Sequence, residues 1–234
     1  MYTATFLMRD GRVANLTDHL ARLRDGGDLP PMKISEVRDQ LRAAGPGIHR
    51  PVIQVSGSTV AVDIPPAVVL PDEAVVDAEP VFDERRSPTA NGPDLGWQTR
   101  RLAQVIKSGA DEGLLVDGEG RVISGIRSAL LFLDGGSAHV SAHPRSTYSV
   151  TLEATLAMLV ESGVEIVEHP EGLTIPRLRT SETWLLNSRT GVRQVTGWME
   201  YASVLPPRLV GRPREGAPTH REINERMWAA AEQV

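Results

Sequence analysis

The chain has 234 residues, room for one large domain or two small ones at about 100 to 200 residues each. It is 41% hydrophobic and 24% charged, as an ordinary soluble globular protein is, and its formal net charge of −5 offers no electrostatic hold to nucleic acid or an anionic membrane; the partners expected are small molecules or protein. It has no cysteine, which excludes disulfides, thiolate zinc sites and cysteine nucleophiles. The cations are almost all arginine, and Lys33 and Lys107 are the only lysines, so an amine nucleophile has two candidates.

"MYTATFLMRDGR" lacks the basic start and apolar core of a signal peptide, and no apolar run approaches the roughly 20 residues that span a bilayer, so the expectation is a cytoplasmic protein. "YTATFLM" and "RVANL" flank Asp10-Gly11, a dipeptide that readily takes the positive φ of a tight turn, and residues 2 to 15 read as paired strands. Thr17 then reads as the cap of a helix over "DHLARL". A second helix follows near 35 to 44 with Val37 and Leu41 on one face. "RPVIQVSG", "STVAVDI" and "EAVVDAEPVF" read as strands, giving an α+β unit over residues 1 to 82. Residues 83 to 96, "DERRSPTANGPDLG", carry prolines and glycines without an apolar period and read as a linker.

The second unit, 97 to 234, opens on a short helix with Leu102, Val105 and Ile106 as its stripe. "EGLLVD", "GRVIS" and "RSALLFLD" read as strands broken at Asp117-Gly118 and Asp134-Gly135. A helix is expected over about 149 to 162, with Leu152, Leu156 and Leu159 on one face. "VEIVEH" and "ETWLLNS" read as strands, and "THRE" at 219 to 222 has the spacing of a capping box. No G-x-S-x-G, G-x-x-x-x-G-K-[ST] or H-E-x-x-H pattern occurs, and the glycines of "DGEGRVISG" do not match G-x-G-x-x-G. His139 and His143 in "HVSAH" fall short of the three or four ligands of a zinc site, so a packing or surface role is expected for both and no metal.

Four ordered motifs carry a resemblance. "DGRVANLTDHLARL", "GADEGLLVDGEGRVISG", "YSVTLEATLAMLVESGVEIVE" and "LLNSRTGVRQV" resemble, in that order, elements of the class IV aminotransferases. This fold-type IV pyridoxal-phosphate group includes branched-chain and D-amino-acid aminotransferases and aminodeoxychorismate lyase. The resemblance implies an α+β fold of two domains, the second barrel-like, with an interdomain cleft and a homodimer. It places Arg22 and Thr151 at the cofactor phosphate, and Ser188, Arg189 and Thr190 beside phosphate and substrate. A helix N-terminus and an arginine fork both suit an anion, in keeping with Thr151 and Arg22; the alternatives are a helix cap and a solvated helix residue.

Two departures bear on activity. The family's Schiff-base lysine, in "K-x-x-N-[YR]-L", falls at Trp97, and Arg100 stands at its asparagine. Trp97 then either packs at the domain junction, or fills the vacated slot or stacks on a flat ligand. Ser124 stands where the family's glutamate keeps the pyridine nitrogen protonated, and serine supplies no charge. Ser149 and Leu152 depart from the family's "PG-[IV]-TR". The expected function is a degenerate, pseudoenzyme-like member that binds a small anionic ligand through Arg22, Trp97, Ser124, Thr151, Ser188, Arg189 and Thr190, with pyridoxal phosphate a possible but non-covalent occupant. The alternatives are an active lyase-like or transaminase enzyme with a non-standard cofactor arrangement, and a structural dimer without a ligand.

Overall fold

The structure is a computed structural model, and it describes residues 1–27, 29–210 and 215–234. In chain order the first half contains β1 (Tyr2–Thr5), β2 (Met8–Arg9), β3 (Arg12–Val13), α1 (Leu16–Gly27), α2 (Pro31–Ala43), β4 (Ile48–His49), β5 (Val52–Ser56), β6 (Thr59–Asp63) and β7 (Glu73–Phe82). There follow α3 (Leu95–Ser108), β8 (Glu112–Val116), β9 (Val122–Gly125), β10 (Ala129–Asp134), β11 (Ser137–Ser141), α4 (Val150–Glu161) and β12 (Glu165–His169). The chain then forms α5 (Ile175–Thr180), β13 (Glu182–Asn187), β14 (Gly191–Glu200), β15 (Ser203–Leu205), α6 (His220–Ala229) and β16 (Glu232–Gln233).

Asp10 and Gly11 take φ of 48° and 73°, the doubly left-handed turn that matches strand twist, and they close β2 on β3. Only those two strands pair across the turn. β1 instead pairs antiparallel with β5, Tyr2 facing Val55, because Phe6 and Leu7 turn into the core between β1 and β2. α1 opens at Leu16, two residues earlier than a Thr17 cap allows, with the His19 N–H donating to Asn15 O. Thr17 lies inside the helix, and its N–H and hydroxyl both donate to the Glu232 carboxylate. Leu16, Leu20 and Leu23 of α1 meet Val37 and Leu41 of α2 and Ile53 of β5 in the first core.

The large sheet runs β12-β11-β10-β13-β14-β7-β8-β9, with β15 paired to β14. β7, at the end of the first half, therefore lies inside the sheet of the second, between β14 and β8. Parallel neighbours need a crossover of a dozen or more residues. α3 supplies it between β7 and β8, and α4 supplies it between β11 and β12. At the far end β9 comes back against β10 and β11, which curls the sheet toward a barrel. Trp198, Leu130, Leu185 and Val122 fill one face, while Trp184, Leu159 and Ile223 lie under α4 and α6 on the other.

Helix α3 packs Val105 against Leu115, Ile126 and Met199, but Ile106, expected on the same stripe, is 57% exposed. Ser149 caps α4, its hydroxyl accepting from Leu152 N–H at 3.2 Å, and the "THRE" capping box is formed with both reciprocal bonds. Residues 83–96 are tied in at several points. Asn91 exchanges bonds with Thr3 of β1, its O accepting from the Thr3 N–H at 2.8 Å and its amide donating to Thr3 O at 2.6 Å. Gly92, at φ +141°, lets the segment pass so close that a Cβ would sit 2.6 Å from Met1 O.

Candidate functional site

Where the two halves meet, a cavity opens over the ends of β1, β9 and β13. α1 turns His19 and Arg22, three residues apart and so on one face, toward it. Arg85 and Asn91 come from the 83–96 segment, Gln98 from α3, Ser124 from β9 and Arg127 from the loop after it. Tyr148 and Ser149 stand at the α4 N-terminus, and Ser188 and Arg189 form the turn between β13 and β14. That turn is held on both sides. Leu7 N–H donates to Ser188 O at 2.9 Å, and Asn187 accepts from Arg189 N–H at 2.9 Å while its amide donates to Arg127 O.

The charges are unbalanced. Arg85 is fully matched: Asp83 takes Nε at 2.8 Å and Nη2 at 3.0 Å, and Thr147 Oγ1 takes Nη1 at 2.9 Å. Among the described residues no carboxylate forms an ion pair with Arg22, Arg127 or Arg189. Arg22 lies over the Tyr148 ring at 4.0 Å, and its Nε is buried without a hydrogen-bond partner. Arg189 Nε is likewise buried and unpartnered. Burial, then the neighbouring Arg127 and Arg50, lower the Arg189 guanidinium to about 10. Two further buried carboxylates lie nearby: Asp94, on the cavity wall, accepts from the Arg86 and Ser87 N–H groups at 3.1 and 2.8 Å, and Glu112 is 4% exposed, burial pushing its pKa up against the hydrogen bonds it accepts from Ser128 at 2.7 Å and Gly113 at 3.2 Å. Three guanidiniums of the cavity wall thus lack a carboxylate in ion-pair contact, and two of them keep a buried Nε donor without a partner.

His19 forms the floor, 6% exposed, its ring 4.9 Å from that of Phe6. Burial lowers its pKa from 6.5 to about 4, Glu232 opposing. The unfolded chain therefore takes up the proton first: stability is full above 6.5 and is lost as pH falls toward about 4, on the order of 3 kcal/mol at one unit per 1.36 kcal/mol. Chemical denaturation across that range should give this slope, and His19→Leu should flatten it. An unchanged slope in the variant would assign the acid sensitivity elsewhere.

The other residues expected at the site divide. Arg22, Ser124, Ser188 and Arg189 line this cavity. Thr151 and Thr190 line an adjacent one that shares Ser188 as a wall, with Thr151 Oγ1 3.2 Å from Ser188 Oγ. Thr151 is thus not the helix cap; it is 4% exposed in the first turn of α4. Trp97 lines neither cavity: it packs on the Val105–Leu115 cluster, and its Nε1 donates to Glu84 at 3.2 Å. His139 stacks on Phe132 at 4.6 Å and meets His169 at 3.0 Å, whereas His143 faces Asp117 at 3.5 Å. Arg127, Arg85, His19 and Gln98 were not anticipated. Arg127 was within reach, three residues beyond Ser124 in an element already assigned to the site.

The model of the family described as amino-transferase class IV matches residues 3–198. The chain belongs to the class IV aminotransferases. Solved structures agree on the fold. A hypothetical aminotransferase from Mycobacterium tuberculosis in its PLP-bound form is similar at 18% identity over 98% of this chain and 87% of that one, with a TM-score of 0.72. The branched-chain amino acid aminotransferase from Escherichia coli matches at 18% identity over 98% and 84%, TM-score 0.72. A protein assigned as a 4-amino-4-deoxychorismate lyase matches at 21% over 99% and 91%, TM-score 0.71. At such identities the likeness carries the fold alone, the two-part α+β architecture of fold type IV. A search of curated protein sequences finds no match. No helix of the described residues is long and apolar enough to cross a membrane.

For a class IV aminotransferase the positions of the two lysines matter. Lys33 stands on α2, its Nζ donating to Glu36 at 2.7 Å, and Lys107 is exposed near the end of α3. Neither lines the cavity. The residue of α3 that does is Gln98, next to Trp97, and its Nε2 donates to Ile126 O at 2.6 Å. Ser124 donates its hydroxyl to Gly125 O at 2.9 Å.

Proposed function

We propose that this class IV aminotransferase holds a small anionic molecule non-covalently in the cationic cavity and has lost lysine-based pyridoxal-phosphate chemistry. The observation that carries the reading is the set of cavity arginines, Arg22, Arg127 and Arg189, with no ion-pair partner among the described residues. Two of them keep a buried donor that only a ligand or water can satisfy. Pyridoxal phosphate fits this site in part. Its phosphate suits Arg22, Ser188 and the capped start of α4. Its aldehyde finds no amine, and Ser124 offers the pyridine nitrogen no negative charge. Neither an anchor nor a proton-shuttling amine is available to substrate carbon, so the residues present bind and orient an anion.

The test is incubation with pyridoxal phosphate, borohydride reduction and intact mass. The expected result is no stoichiometric adduct, while inorganic phosphate at a hundred times its Kd stabilises the fold by about 2.7 kcal/mol. A one-to-one adduct that inorganic phosphate blocks and that Lys33→Ala or Lys107→Ala removes would restore the covalent chemistry and sink the proposal.

A further inference from the structure

Arg22 and the Arg127–Arg189 pair occupy different surroundings in the one cavity. Arg22 lies on α1 against Tyr148, at the mouth of α4. Arg127 and Arg189 come from two loops that the Asn187 side chain joins directly, and each loop has a second tie. Glu112, on β8, accepts from Ser128 Oγ at 2.7 Å and from Arg127 N–H at 3.4 Å, and Leu7 N–H holds Ser188. The two loops therefore cannot drift apart, although the charges they carry repel each other. Among the described residues the Arg127 guanidinium donates only to Thr99 Oγ1, at 3.3 Å, and Arg189 Nε has no partner. Holding two like charges together in a half-buried site opposes stability unless something negative is placed between them. Glu112 is the carboxylate whose charge acts on both, but its hydrogen bonds go to Ser128 Oγ and to the Gly113 and Arg127 N–H groups and to neither guanidinium, unlike Asp83 with Arg85.

We infer that Arg127 and Arg189 form a second anion subsite, separate from the one at Arg22, and that the natural ligand is one small molecule carrying two anionic groups, a phosphate-like one at Arg22 and a carboxylate at the pair. The inference rests on the proposed anion-binding function and names its ligand class. Glu112 is a positioning residue in this arrangement: it holds the 126–128 loop from behind and meets no ligand.

Calorimetric titration of the whole chain with methylphosphonate, and with phosphonoacetate and its longer homologues, tests it. At least one homologue should bind about tenfold or more tighter than methylphosphonate, the gain of one charge-assisted carboxylate contact. In Arg189→Gln and in Arg127→Gln the homologue should bind no tighter than methylphosphonate does to the same variant, with melting temperatures confirming that both variants fold. Methylphosphonate binding with no gain from any homologue overturns the second subsite and leaves the anion-binding function standing. A gain that survives both substitutions places the carboxylate elsewhere and also overturns it. Failure of the native chain to bind any of these probes overturns the anion-binding function, and this inference with it.

Discussion

Asp83→Ala is expected to cost about 3 to 5 kcal/mol of stability, because it strands a guanidinium inside the protein. The Asp83 and Arg85 side chains are 1% and 2% exposed. Burial pushes the Asp83 carboxyl up, but the hydrogen bonds from Arg85 and Arg145 outweigh it and hold it below the ordinary carboxylate range. One oxygen accepts Arg85 Nε, and the other accepts Arg85 Nη2 and, at 2.9 Å, Arg145 Nε. Arg145 returns Nη2 to Arg85 O at 2.8 Å, and Arg85 reaches Arg145 O at 2.9 Å. The cluster thus closes a loop between residues 83–88 and 145–147, segments some 60 positions apart, and both supply walls of the cavity. Removing both charges together, Asp83→Ala with Arg85→Met, should recover much of the loss, since the larger cost is an unpaired buried charge rather than a missing attraction. Urea denaturation of the single and double variants measures this. A single-variant loss below about 1 kcal/mol would mean that water enters the cluster when Asp83 is removed.

The second large effect is on binding. Arg22→Gln should weaken inorganic phosphate binding by about 10- to 100-fold, the range expected for a charged hydrogen bond worth roughly 1.5 to 3 kcal/mol. Arg22 is half-buried, stacked on Tyr148 and unpaired, so its removal breaks no ion pair and the fold should not suffer. A melting temperature at or above that of the native chain, together with the lost affinity, is the expected pattern. Equal affinity in the variant would put phosphate away from α1.

Elements with local signals were legible from sequence. Asp10-Gly11 closes its hairpin because the turn needs two positive φ values, and the "THRE" box forms because its four residues satisfy one another. α4 matched its expected span because its leucines recur at helical spacing. Strand β14 has no clear signal in the sequence, although it lies inside the large sheet. Its register shifts between Val195 and Gly197, which interrupts the alternation by which a strand is recognised. The 83–96 segment reads as a linker because its prolines and glycines are local facts, whereas the contact that orders it depends on Arg145. Thr17 reads as a cap because a threonine before an apolar period usually is one; Glu232, which claims its hydroxyl, lies 215 residues away.

The same limit applies to the site. Arg22, Ser188 and Arg189 come together as motif order implied, but Trp97 turns away to Glu84, a choice set by the apolar cluster beneath α3. No spacing rule foretells that Arg127 and Arg189 would be joined by Asn187. A side-chain amide that donates to a backbone carbonyl 60 residues away decides it.

The arginine-lined cavity sits in a chain whose formal charge is −5. An approaching anion therefore meets repulsion at long range and attraction only within about a Debye length of the mouth, roughly 8 Å at physiological ionic strength. Added salt acts on the two in opposite directions, easing the approach while loosening the hold. On the proposed anion-binding function, added salt should therefore quicken association while it weakens affinity, a pairing that stopped-flow binding at graded ionic strength reads directly.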